Sequence, residues 1–190
     1  MELKREIPRQ VFHFINGTII ALAYTRWEAK VGWVLMGMAV VGAFLSWRHT
    51  RKPFPWAEPL LRVLDRPEDS QTFPGKGAVL YGLAVGLSLV LYPHNAALGA
   101  ITVLASGDAL STLVGKAWGR RPWPWNRRLS MEGSLAFWVG GTLYASLFIP
   151  FPGALVGALA GTLVETVPWS VDDNVTIPLT VGGVLSLLFY

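Results

Sequence analysis

Seven apolar runs divide this chain, and the lysines and arginines between them fall almost entirely into alternate connections. The runs cover 13–24, 31–47, 77–92, 95–115, 133–149, 153–167 and 175–190. Crossing a bilayer core takes about 20 apolar residues, with about 17 tolerated, so the first and sixth runs are short. If each run crosses once, one side collects Lys4, Arg5, Arg9, Arg48, Arg51, Lys52, Arg62, Arg66, Lys76, Lys116, Arg120, Arg121, Arg127 and Arg128. The other side collects Arg26 and Lys30, a split of 14 to 2 among the 16 basic residues. Lys and Arg accumulate in cytoplasmic loops. The pattern predicts an all-α integral membrane protein of about seven transmembrane helices, with the N-terminus cytoplasmic and a single polytopic domain over 1–190.

Composition agrees. The chain is 52% hydrophobic and 15% charged, with 9 Trp, whereas a soluble domain carries about a quarter charged residues. It has no cysteine, which excludes a disulfide framework and a thiolate metal site. The basic-then-apolar start, with "ALA" at Ala21–Ala23, imitates a secretory signal. Asn16 and Gly17 interrupt its apolar part and Glu2 and Glu6 its basic part, so cleavage is not expected. In the long connection 48–76, "WAEPLLRVLDRPED" reads as an interfacial amphipathic helix.

Polar groups inside such runs are costly and mark function. Asp108, in "ASGDALSTLVG", lies about 10 Å inside the cytoplasmic end of its helix at 1.5 Å per residue. It shares a small, polar face with Ser111, Thr112 and Gly115, at i, i+3, i+4 and i+7. Either it pairs with a neighbouring helix or it serves a ligand or metal site, and the second reading is preferred. Gly153, Gly157 and Gly161 form a close-packing stripe that Glu165 continues, pointing that acid into the bundle or leaving it solvated at the interface. Asp172 and Asp173 precede the last run as natural helix caps, and Pro178 is a place for a kink.

The loop "KAWGRRPWPWNRRLSMEGS" carries Lys116, Arg127 and Arg128, then Ser130, Glu132, Gly133 and Ser134 at a helix start. Such a loop is a topology signal, an anionic-lipid contact or a triphosphate site. Arg9, His13 and Asn16 share one face, and together suit a phosphate. All these groups fall at cytoplasmic helix ends. The acids Asp108, Glu132, Glu165, Asp172 and Asp173 and the bases Arg9, Lys116, Arg127 and Arg128 are therefore expected to face one pocket. Carboxylates with phosphate oxygens are the usual setting for Mg²⁺. "GKAWG" lacks the Ser or Thr of a Walker A loop.

The combination of "SGDALSTLVGKAWG", "LSMEGSLA" and "LVETVPWSVDDNVTIP" resembles the signatures of the polyprenol kinase family. That family includes dolichol kinase, phytol kinase and CTP-dependent diacylglycerol kinase, and is related to phosphatidate cytidylyltransferases. The resemblance extends from "RQVFH" to "DDNVTIP". It implies transfer of the CTP γ-phosphate to a lipid alcohol (a polyprenol, phytol, geranylgeraniol or a diacylglycerol-like lipid), with a divalent cation such as Mg²⁺ and without a nucleic-acid partner. By this resemblance Gly107, Asp108 and Gly115 fall in the segment associated with CTP. Ser130, Glu132 and Gly133 match a Lys-Ser-x-Glu-Gly element. Glu165, Pro168, Asp172, Asp173 and Asn174 match the last element, and Arg9 and His13 an Arg-Lys-x-x-His element. The chain departs from the pattern at Gln10 and Leu129, each in place of a Lys, with Arg127 or Arg128 near enough to replace the second.

The expected enzyme is thus a CTP-dependent lipid kinase with Asp108, Glu132 and His13 as its catalytic groups. Its active site would face the cytoplasm from a prokaryotic plasma membrane or an ER-like membrane. The alternatives are a cytidylyltransferase, which attacks the α-phosphate, and a small ion-coupled transporter.

Overall fold

The computed structural model describes residues 2–65 and 72–190. Among them the chain is all helical. The helices are α1 (Glu2–Trp27), α2 (Ala29–Arg51), α3 (Glu58–Leu64), α4 (Lys76–Leu91), α5 (His94–Trp118), α6 (Met131–Ala145), α7 (Phe151–Thr166) and α8 (Asp173–Leu188). Each apolar run lies on one of the seven long helices. The main departure is α1, with 26 residues where the run predicts 12. Helix formation does not stop where apolar residues stop, and the polar residues before His13 continue the same helix. Within the segment expected to form an interfacial helix, Glu58–Leu64 is the helical part, α3. The remainder of that segment, 66–69, lies outside the described residues, as do the side chains of Lys4, Arg5, Arg62 and Arg66.

The most buried element is α5, with its residues from Ala96 to Gly107 buried and α1, α4, α6, α7 and α8 packed around it. α2 stands outside this group and packs mainly on α4. Glycines permit that closeness: a Cβ on Gly32 would lie 2.6 Å from the Gly86 carbonyl, and one on Gly86 2.8 Å from the Gly32 carbonyl. Gly17 does the same for α1 against Ala105 of α5. One residue, Glu28, joins α1 to α2, with a positive φ of 50°.

The outside of the bundle is apolar. Trp33, Val40, Leu143 and Leu163 are each more than half exposed, far more than the surface of a soluble monomer tolerates in continuity. Inside, hydroxyls bond back to their own helices: Ser88 Oγ donates to the Ala84 carbonyl, Thr102 Oγ1 to Leu98 and Thr162 Oγ1 to Ala158. Such internal satisfaction suits an environment without water. Two helices, α2 and α5, are long and apolar enough to cross a membrane, and α4, α7 and α8 are shorter apolar helices.

The polar ends gather at one end of the bundle. Lys116 at the end of α5 reaches Glu6 at the start of α1, and Asn126 Nδ2 donates to the Thr166 carbonyl at the end of α7. At the opposite end Tyr24 stacks on His94, ring centroids 5.0 Å apart. This up-and-down alternation brings the sequence-predicted groups to a common end.

Candidate active site

α1 lies against α5 and α2 against α4, but α1 and α4 stand apart. A cavity of about 440 Å³ occupies the space between them. Its lining is polar at Arg9, Gln10, His13, Asn16, Asp65, Asp108 and Asn174 and apolar at Ile20, Leu35, Ala39 and Val79.

Within this lining His13 Nε2 faces Asp108 Oδ2 at 3.7 Å. That is too long for a hydrogen bond. His13 Nε2 is buried and has no hydrogen-bond partner. An oxygen lying beside the pair, off the line that joins them, can come within hydrogen-bond distance of both, accepting or donating according to their protonation. The His13 ring meets the edge of Tyr81 from α4 at 5.1 Å between centroids, which fixes its plane.

Next to this pair, Glu6 holds two cations. Its Oε2 is 2.7 Å from Arg9 Nη2 and its Oε1 2.7 Å from Lys116 Nζ. The structure therefore brings Arg9, His13, Lys116, Asp108 and Asn174 to the polar lining of the cavity or its immediate edge.

The other predicted residues occupy a second layer. Asp108 faces α1, whereas Ser111, three residues on, faces α7 and donates to Glu165 Oε1 at 2.6 Å. Glu165 is 4% exposed, which decides between its two expected settings, and its Oε2 has no hydrogen-bond partner. Asp108 and Asp173 lie within electrostatic reach of Glu165.

Glycines in this layer serve packing. A Cβ on Gly133 would lie 2.9 Å from the Ser111 carbonyl and 3.2 Å from Gly115 Cα, and one on Gly107 would enter the Phe137 ring. Ser130 caps α6 by accepting from the Gly133 amide at 3.1 Å. Asp172 caps α8 by accepting from the Asn174 amide at 3.0 Å, as its sequence position predicts.

Glu132 is differently placed. Its Oε2 accepts from the amides of Arg120 and Arg121, at 3.1 and 3.2 Å, and the residue is half-buried. Its own backbone amide, those two amides and the Arg121 charge hold its carboxyl below the usual range. It ties down the basic loop, whose Trp123 Nε1 also donates to Ser134 Oγ at 2.9 Å. Arg127 and Arg128 are exposed on this loop. Among the described residues, no three His, Asp or Glu side chains form a group able to hold a metal ion by themselves.

Three residues of the site carried no signal in the sequence reading. Glu6 belongs to the charged start of the chain, Gln10 departs from a motif, and Tyr81 lies inside the apolar run 77–92. Gln10 is 2% exposed, and its Oε1 and the Tyr81 hydroxyl are buried without hydrogen-bond partners.

The chain is thus a helical bundle with an apolar exterior and a cavity of mixed polar and apolar lining between its helices. The chain is 31% identical to a phytol kinase of Synechocystis over 92% of its own length and 76% of that protein. It is 27% identical to CTP-dependent diacylglycerol kinase 1 of Schizosaccharomyces pombe, over 63% of each chain. A probable chloroplastic phytol kinase of Glycine max is 28% identical over 60% of this chain, which spans only 46% of that longer protein. No family model matches the chain, and no solved structure does. The chain belongs to the polyprenol kinase family.

Proposed function

We propose that this chain is an integral membrane lipid kinase that transfers the γ-phosphate of CTP to the hydroxyl of a lipid alcohol at the cytoplasmic face. In this reading α1, α2 and α4–α8 are seven spans of one domain, with the N-terminus cytoplasmic. The observation that carries it is the His13–Asp108 pair in the lining of a 440 Å³ cavity whose wall also carries Ile20, Leu35, Ala39 and Val79. An amphiphile with one hydroxyl can bring its polar atom to that pair while its tail lies along the apolar side chains.

The alcohol oxygen sits beside the pair, within hydrogen-bond reach of both His13 Nε2 and Asp108 Oδ2. His13 takes the hydroxyl proton as that oxygen forms its bond to the γ-phosphorus. The bond from the γ-phosphorus to the β–γ bridging oxygen breaks, and that oxygen leaves as part of CDP. Asp108 stabilises the imidazolium that results. Arg9 and Lys116, released from Glu6 towards the nucleotide, neutralise the phosphates, and Arg127 and Arg128 draw the triphosphate to the mouth.

A divalent cation fits the residues present. Glu165 offers a buried carboxylate oxygen with no hydrogen-bond partner, Asp108 and Asp173 are near it, and Mg²⁺ is ordinarily held by one or two carboxylates plus substrate phosphates. Held by these carboxylates, the cation would supply positive charge that offsets the charge developing on the transferring phosphoryl group. CTP as donor rests on the likeness to the diacylglycerol kinase.

The test is an assay of the purified chain with phytol, farnesol, geranylgeraniol, polyprenols and diacylglycerol, using CTP labelled at either phosphate. Label from the γ-position in the lipid product supports the kinase. Label from the α-position would make it a cytidylyltransferase, and label from neither would refute both.

A further inference from the structure

We infer that Asn126 is a positioning residue for the donor's phosphates: it locks the turn that carries Arg127 and Arg128 onto the end of α7, beside Glu165. That this turn receives a triphosphate rests on the reading above, whereas the lock is a matter of geometry.

The connection between α5 and α6 folds back on itself. Met131 N donates to the Arg121 carbonyl at 2.8 Å and Trp123 N to the Leu129 carbonyl at 3.2 Å, which joins its two limbs. At the tip, Leu129 N donates to the Asn126 carbonyl at 3.1 Å. That bond closes a four-residue turn whose central residues are Arg127 and Arg128. The Asn126 side chain tightens the same turn, with Oδ1 accepting from the Arg128 amide at 3.3 Å, the local bond by which asparagine favours turns. Both arginines therefore leave a backbone fixed at Asn126, and both are exposed.

The same side chain also reaches out of the loop. Its Nδ2 donates to the Thr166 carbonyl at 3.2 Å. Thr166 is the last residue of α7, and the last carbonyls of a helix have no partner within it. Among the described residues, the loop's other side-chain bonds to a helix end on α6, where Glu132 takes the Arg120 and Arg121 amides and Ser134 the Trp123 indole. Asn126 is thus the hydrogen bond between the arginine turn and α7. Glu165 adjoins Thr166, and Ser111 of α5 holds its Oε1. The last turn of α7 is gripped at two adjacent residues, by α5 on one and by the loop on the other.

A triphosphate with a divalent cation presents its charges at a set spacing, phosphate oxygens towards cationic side chains and the cation towards a carboxylate. Asn126 fixes that spacing between the arginine turn and Glu165 through one hydrogen bond and one peptide unit. Without the bond the turn has to be ordered as the ligand arrives, and the ordering lowers affinity.

The test is calorimetric titration of the 190-residue chain in nanodiscs of neutral lipid, with inorganic tripolyphosphate and Mg²⁺ as the probe. Asn126→Ser keeps a hydroxyl that can accept from the Arg128 amide but is too short to reach Thr166. It should weaken binding by about fivefold, the net contribution of one hydrogen bond. Asn126→Gln, whose longer amide still reaches the Thr166 carbonyl, should recover most of that loss. In an Arg127→Gln/Arg128→Gln background, Asn126→Ser should change binding by less than about twofold, since a residue that acts through the arginines has nothing left to position. In the unaltered chain, tripolyphosphate should raise hydrogen-exchange protection at 126–129 and at 163–167 together.

An Asn126→Ser chain that binds as tightly as the unaltered one would overturn the inference. So would the same loss persisting without the two arginines, a loss that Asn126→Gln does not relieve, or an unaltered chain that binds no tripolyphosphate. If Asn126→Ser does not fold, exchange on the unaltered chain decides, and protection that rises in the turn but not in α7 overturns it as well. A chain that shows the Asn126 dependence but phosphorylates no lipid from CTP refutes the kinase reading alone. A working kinase whose tripolyphosphate binding ignores Asn126 refutes the role of Asn126 alone.

Discussion

Replacing Asp108 by asparagine keeps the shape of the side chain and removes its charge. Among the described residues its one ionic contact is His13, at 3.7 Å. In the proposed reaction His13 becomes an imidazolium only as the proton leaves the alcohol, so the attraction appears in the transition state and not before. At an effective dielectric of about 20, two unit charges 3.7 Å apart attract by about 4 kcal/mol. At about 1.4 kcal/mol per factor of ten, that is a loss of about a thousandfold in kcat.

Folding is expected to change little. The nearby cations are not left unpaired, because Arg9 and Lys116 are both held by Glu6. We expect Tm to move by less than about 4 °C, the equivalent of about 1 kcal/mol in a chain of this size. Turnover of a prenol with CTP and the thermal melt of the same preparation are the paired measurements. An Asp108→Asn protein that melts far lower but keeps most of its turnover would refute the reasoning and make Asp108 a structural residue.

Gly157→Leu should lower stability by about 1–3 kcal/mol through overpacking, since even a Cβ there would lie 3.1 Å from Leu185 Cδ1 and 3.3 Å from Val181 Cγ1. Leu159→Ile, at an exposed position, should be close to neutral, and thermal melts of the pair compare them directly. Single cysteines in this cysteine-free chain, His94→Cys and Arg127→Cys, should label with an impermeant maleimide from opposite sides of sealed vesicles; labelling from one side would contradict the seven-span topology. The Glu132 carboxyl sits below its usual range because backbone amides bind its charged form. Its hold on the basic loop is therefore complete above the ordinary glutamate pKa of about 4.3 and disappears as pH falls through the lowered folded value. Hydrogen exchange at the Arg120 and Arg121 amides, corrected for intrinsic rates, should lose protection at that acid end, and in Glu132→Gln should show reduced protection even at neutral pH.

The long helices were legible because apolar length is a one-dimensional property. Their ends were less so: α1 reaches back to Glu2 because charged residues at a bundle end can stay helical without being apolar. Glu165 was half legible, since the Gly153–Gly157–Gly161 stripe pointed it inward but could not name Ser111 as its partner. The cavity was not legible at all. It exists because α1 leans on α5 through Gly17 while α2 leans on α4 through Gly32 and Gly86, and the gap between the pairs is a property of four helices together. Gln10, Tyr81 and Glu6 take their meaning from that gap. The shared face read from Asp108, Ser111, Thr112 and Gly115 is divided in the structure, with Asp108 turned to α1 and Ser111 to α7, because residues three apart on a central helix meet different neighbours.

Phe12 and Met38 line the cavity and remain 50% and 65% exposed. In the proposed reading this exposed part of the wall is where the cavity opens to the lipid. A hydrophobic alcohol passing between these side chains never has to enter water, and its search for the site is confined to two dimensions. The concentration that sets the reaction rate is then the mole fraction of alcohol in the bilayer. Adding inert lipid should slow the reaction at constant total substrate, whereas diluting the vesicles in buffer should not.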